Sequence, residues 1–128
     1  MEMPLSEILD RHSILRLKLE RLSPQQKDAE PLINKEFAAY EAALQQFRER
    51  GVLIKSEWLD SLYYINGSVW HLEADIRQGK EAQLGLEEVG RRAILIRDWN
   101  KKRIAVKNLI AQETGLGFKE IKINHASE

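Results

Sequence analysis

An all-α fold, an antiparallel four-helix bundle with a short C-terminal tail, is predicted by three features of this sequence. Apolar residues recur at three- and four-residue steps over four long stretches. Pro4, Pro24 and Pro31, with Gly51, Gly79, Gly85, Gly115 and Gly117, punctuate those stretches where helices start or stop. The chain has 128 residues, 43% of them apolar, enough for one compact core. The expected organisation is a single domain over 1–128, with an ordered core of about 5–113 and a tail of 114–128.

The first helix is expected near 5–22. Pro4 or Ser6 can start it, and Glu7 lies favourably at its positive end. Leu5, Ile8, Leu9, His12, Leu15, Leu19 and Leu22 form its stripe, and Ile14 and Leu17 widen it enough to touch more than one neighbour. Ser23-Pro24 ends it. The second helix is expected near 31–50, opened by Asp28 and Pro31 and closed by a left-handed Gly51. Its Ile33, Phe37, Tyr40, Leu44 and Phe47 keep one seam toward a partner. The third, near 57–78 with Ser56 as cap, carries the cleanest stripe: Trp58, Leu62, Ile65, Val69, Leu72 and Ile76. The fourth, near 86–113, spreads Val89, Ala93, Ile94, Leu95, Ile96, Trp99, Ile104, Val106, Leu109 and Ile110 around much of its cylinder, as a helix packed on two sides requires. Thr114-Gly115-Leu116-Gly117 breaks it. Phe118 to Ile123 is too short to assign as strand or helical turn.

Composition excludes several function classes. Twenty basic residues balance twenty acidic ones, and the pI is about 6.9, so no one-signed field attracts nucleic acid or an anionic membrane. No apolar run approaches the ~20 residues that span a bilayer. Met1-Glu2-Met3-Pro4 lacks a signal-peptide pattern, which makes the expected location cytoplasmic. The chain has no cysteine, which removes disulfide and thiol chemistry and Cys-held metals. His12, His71 and His125 show no ligand spacing, and no serine sits in a nucleophile elbow. No catalytic residue, metal or cofactor is therefore expected. The acidic pairs Glu7/Asp10 and Glu57/Asp60 have a magnesium-like spacing, but each opens a helix, where the backbone dipole alone favours acids.

One polar pattern stands out. Asn66, Trp70, Glu73 and Arg77 line a single face of the third helix beside its buried edge. Asn100, Arg103 and Lys107 continue a line on the fourth helix, and Asp10, Lys18 and Arg21 have compatible spacing on the first. Converging, these residues would enclose a charged pocket floored by Trp70, with Asp10 and Glu73 against the five cations. Such a pocket suits an anionic or sugar-like ligand gripped by arginine forks. The alternative is a set of structural ion pairs, beginning with Glu73 and Arg77 one turn apart.

Three blocks resemble a family of uncharacterised bacterial all-helical proteins. They are Leu9-Asp10-Arg11-x-x-Ile14-Leu15-x-x-Lys18-x-x-Arg21, Trp70-x-Leu72-Glu73-x-x-Ile76-Arg77, and Asn100-x-x-Arg103-x-x-x-Lys107. The resemblance implies an all-helical fold, and association of some relatives with cell-surface polysaccharide synthesis. Ala74 departs from it, standing where the family often has a second acid beside Glu73. Two functions are expected to compete. One is a non-catalytic interaction domain forming a homodimer, or binding a protein partner, through apolar surface left on the first or fourth helix. The other is a small enzyme or binder using the polar face, with Glu73 as base or acceptor.

Overall fold

The structure is a computed structural model that describes residues 3–77 and 79–116. Its helices are α1 (Leu5–Glu20), a 3-10 helix (Pro24–Ala29), α2 (Glu30–Glu49), α3 (Ser56–Arg77), the single turn α4 (Glu81–Leu84) and α5 (Leu86–Thr114). No strand occurs among the described residues, and the fold is all-α as predicted. The undecided Phe118–Ile123 stretch and His125 lie outside the described residues.

Local chemistry accounts for the boundaries. Pro24 has no N–H to donate to the Glu20 carbonyl and turns Ser23 away from helical angles, so α1 stops two residues before the expected Leu22. The link that follows is itself ordered. Gln26 N–H bonds the Ser23 carbonyl at 2.9 Å, and the Ser23 N–H bonds Gln26 Oε1 at 3.2 Å. Pro31 sits in the first turn of α2, where a missing N–H costs nothing. Gly51 and Gly115 follow α2 and α5 with φ of +88° and +68°, the left-handed conformation expected of helix stops.

The long helices alternate in direction. Glu7 meets Lys107 and Asp10 meets Arg103, which sets α1 against α5. Lys55 to Glu113, Tyr64 to Trp99 and Asp75 to Arg92 set α3 against α5 in the same sense. α1 is the central element. It packs on α2, α3 and α5 and buries Leu5, Ile8, Leu9, His12, Leu15 and Leu17 on several faces. Among the described elements, the backbone of α2 runs beside α1 and the 3-10 turn only.

The core lies toward one end. Leu5, Ile8 and Leu9 from the start of α1 meet Ala43 and Leu44 from α2, Trp58 and Leu62 from the start of α3, and Ile110 near the end of α5. The reason for this asymmetry is length. At ~1.5 Å per residue, the 16 residues of α1 reach about 24 Å, while the 29 of α5 reach about 44 Å. The distal part of the α3–α5 hairpin therefore extends beyond α1. Packing of α5 on two sides, expected along its whole stripe, holds for its C-terminal part only: Lys107, Ile110 and Ala111 are its buried residues.

Candidate functional site

Asp10 is the centre of a polar network inside the bundle. Its carboxylate is fully buried and accepts both arms of the Arg103 guanidinium. Arg103 Nε lies 2.9 Å from Oδ1 and 3.0 Å from Oδ2, with Nη2 also on Oδ2. Asn66 Nδ2 donates to Asp10 Oδ1 at 2.9 Å and to Ser13 Oγ at 2.8 Å, and Ser13 Oγ donates in turn to the Asp10 carbonyl at 2.6 Å. Lys107, itself buried, pairs with Glu7 and keeps its ammonium 3.9 Å from Asp10 Oδ2. Among the described residues, the carboxylates of Glu7 and Asp10 thus face the cations Arg103 and Lys107 in a set that joins α1, α3 and α5. Such pairing is what makes buried charge tolerable, because each ion exchanges water for a fixed partner.

The ten residues singled out from sequence do not share one pocket. Asp10, Asn66, Arg103 and Lys107 come together as described. Trp70, Glu73, Arg77 and Asn100 line an adjoining cleft of about 310 Å³, bounded by Ile14 and Leu17 of α1 and reached also by Asn66 and Arg103. There Glu73 pairs with Arg77 at 3.1 Å, one turn on, and not with Arg103. The Arg77 guanidinium stacks 4.4 Å from the Trp70 ring centroid and donates to the Trp70 carbonyl at 2.9 Å. Arg103 is taken by Asp10 because α1 packs on both α3 and α5 and brings the Asp10 carboxylate onto the guanidinium. Lys18 is exposed and lines a different cleft of about 310 Å³, with Glu7, Arg11, Glu36 and Tyr40. Arg21 is exposed at the end of α1, on a third cleft.

Two members of the network were not among the ten. Glu7 reads from sequence as a helix-start acid, and Ser13 as an unremarkable hydroxyl. The available signal was the three-residue repeat Glu7, Asp10, Ser13 on one face of α1, opposed by cations four apart, Arg103 and Lys107, on α5. His12, on the apolar stripe of α1, bonds Glu41 through Nε2 and packs on Phe37 with ring centroids 4.6 Å apart.

A second polar cluster clasps the far end of the α3–α5 hairpin. Arg92 reaches Asp75 at 3.2 Å and Glu88 at 3.0 Å, while Arg91 grips Glu88 with two donors at 2.8 and 2.6 Å. Bonds from Arg91 first, then Arg92, hold the Glu88 carboxyl down at about 2.

Chemically, these arrangements match three of the five cations of the predicted pocket with carboxylates of the chain itself: Arg103 with Asp10, Lys107 with Glu7, Arg77 with Glu73. Compared with known proteins, the chain matches no family model, no curated protein and no solved structure.

Proposed function

We propose that this chain is a non-catalytic helical interaction domain, bacterial and cytosolic, that forms a homodimer through the distal α3–α5 arm. One observation carries the reading. Among the described residues, none between Asn66 in α3 and Lys107 in α5 is buried, although Val69, Leu72, Ile76, Val89, Ile94, Leu95, Ile96 and Ile104 lie there. Leu86 is 92% exposed and Ile94 is 54% exposed. A two-helix hairpin cannot cover apolar residues on both of its sides, and a further layer of helices supplies the missing cover.

Charge favours a second copy as that layer. On the arm Glu73 pairs with Arg77, Asp75 and Glu88 with Arg92 and Arg91, and Asp98 with Arg97. The surface so formed has no field of one sign to draw nucleic acid or anionic lipid, and it is compatible with its own two-fold image. No described helix is long and apolar enough to cross a membrane. Kinship with the uncharacterised bacterial helical family is part of this proposal and rests on the blocks around Asp10, Glu73 and Asn100. The ligand-binding alternative draws on the open cleft beside Trp70 and Arg77. The internal matching of its cations makes self-association the better supported of the two.

Sedimentation velocity over a wide concentration range tests the reading. The expected result is a species near twice the 14.9 kDa chain mass, dissociating on dilution. Leu86→Glu and Ile94→Glu, combined, shift it to the single-chain mass with helicity unchanged. A lone species at the single-chain mass throughout rejects it.

A further inference from the structure

We infer that the cleft at the C-terminal end of α1 is a binding site for a planar aromatic anion, an aryl ring carrying a carboxylate or similar group. The cleft shares Leu72 and Leu95 with the arm proposed to self-associate, but the inference rests on Tyr63, Tyr64, Trp99 and Arg21, which that reading does not use.

The cleft encloses about 450 Å³ and is walled by Tyr63 and Tyr64 of α3 and Trp99 of α5, with His71 and Arg21 also lining it. That volume is in the range of small-molecule sites, which combine apolar and aromatic walls with few polar groups. These three rings are held in place. Tyr64 and Trp99 pack edge to face, with centroids 5.5 Å apart and planes at 72°. The Tyr63 hydroxyl bonds Glu20, and the Arg16 guanidinium lies 4.0 Å from the Tyr63 ring centroid. Fixed aromatic faces favour a flat ring over a saturated one, because ring quadrupoles reward offset and edge-on contact.

Charge decides what the ring must carry. In the α1–α2 cleft, Glu7, Asp10 and Glu36 balance Arg11, Lys18 and Arg103. Beside Trp58, Lys55 meets Glu113 at 3.0 Å. In the Trp70 cleft, Arg77 has Glu73 and Arg103 has Asp10. The cleft at the end of α1 differs: no carboxylate lines it, Glu20 behind the Tyr63 hydroxyl is paired with Arg16, and Arg21 has no ion-pair partner among the described residues. An uncompensated guanidinium at the edge of an aromatic cleft provides a fork for a carboxylate, and the His71 imidazole offers a second donor.

Titration of the intact chain with naphthoate, followed by NMR, tests the assignment. The expected result is saturable one-to-one binding, with shifts centred on Trp99, Tyr63, Tyr64 and His71 and not on Trp58 or Trp70. Arg21→Gln weakens binding at least about tenfold, the scale of one charge-assisted hydrogen bond. Arg21 is exposed, so this variant melts as the parent does. Naphthalenemethanol, which lacks the charge, and cyclohexanecarboxylate, which lacks the flat ring, each bind at least about tenfold more weakly than naphthoate. Absence of saturation at millimolar naphthoate, shifts centred elsewhere, or unchanged affinity in Arg21→Gln overturns it.

Discussion

Asp10 shows how one residue acquires a meaning that its position in the sequence does not disclose. In the first turns of a helix an aspartate needs no explanation beyond the backbone dipole. In the folded chain it is fully buried and carries the Arg103 fork, the Asn66 amide and, at longer range, Lys107. Asp10→Ala leaves Arg103 without its carboxylate and Asn66 short of an acceptor. The expected cost in urea denaturation is about 3 kcal/mol, the lower end for breaking a buried pair, because Arg103 keeps 31% side-chain exposure. Glu73→Ala removes an exposed one-turn pair and costs at most about 1 kcal/mol. A double-mutant cycle between Asp10 and Arg103 then shows coupling above ~0.5 kcal/mol, while the cycle between Glu73 and Arg103 is additive to within that figure. The reverse ranking would remove Asp10 from the centre of the network.

Among the elements, the α3–α5 arm depends most on polar contacts. Its end is held by Arg92 spanning from Glu88 to Asp75 of α3. Glu88 has its folded pKa lowered to about 2 from an ordinary 4.5, so its contribution to stability is present above that ordinary value. As pH falls from about 4.5 toward 2, protonation releases Arg91 and Arg92, and the arm loosens before the core does. Hydrogen exchange measured across this window is expected to accelerate at amides of 72–77 and 86–95 ahead of those of 5–13. Equal acceleration at both ends would disprove the clasp. A contrast holds for α1, whose N-terminal half is embedded in apolar neighbours and gains little from exposed pairs.

For the whole molecule, the gradient of burial from the core end to the arm predicts a gradient of sensitivity. Leu62 is fully buried where α1, α3 and α5 meet, and Leu62→Ala is expected to cost about 2–5 kcal/mol. Ile94, more than half exposed, is expected to change single-chain stability by less than about 0.5 kcal/mol on truncation to Ala, measured below the association concentration. At higher concentration the same truncation lowers the melting temperature, because a partner that binds only the folded chain stabilises it by mass action. A melting temperature independent of concentration in the parent chain would contradict the dimer.

Helix content, helix limits and direction were legible in the sequence because they depend on local terms. Apolar spacing, Pro24 and Pro31, and left-handed Gly51 and Gly115 act within a turn or two of themselves, and short links between helices leave alternating direction as the compact solution. The wide stripe of α1 likewise marked a helix with several neighbours. Which polar residues meet was not legible, since helical spacing places residues on a face but says nothing of how far neighbouring helices slide along one another. Asp10, Glu73 and Arg103 had compatible spacings, and only packing decided that α1 lies along α3 and α5 at the height where Asp10 takes Arg103, leaving Glu73 to Arg77. The same offset, set by the short α1 against the long α5, left the arm's apolar residues only partly buried and placed Arg21, without an ion-pair partner among the described residues, beside Tyr63, Tyr64 and Trp99. Sequence determined the elements and their stripes; their relative translation, a property of side-chain packing over the whole chain, decided the network, the arm and the cleft.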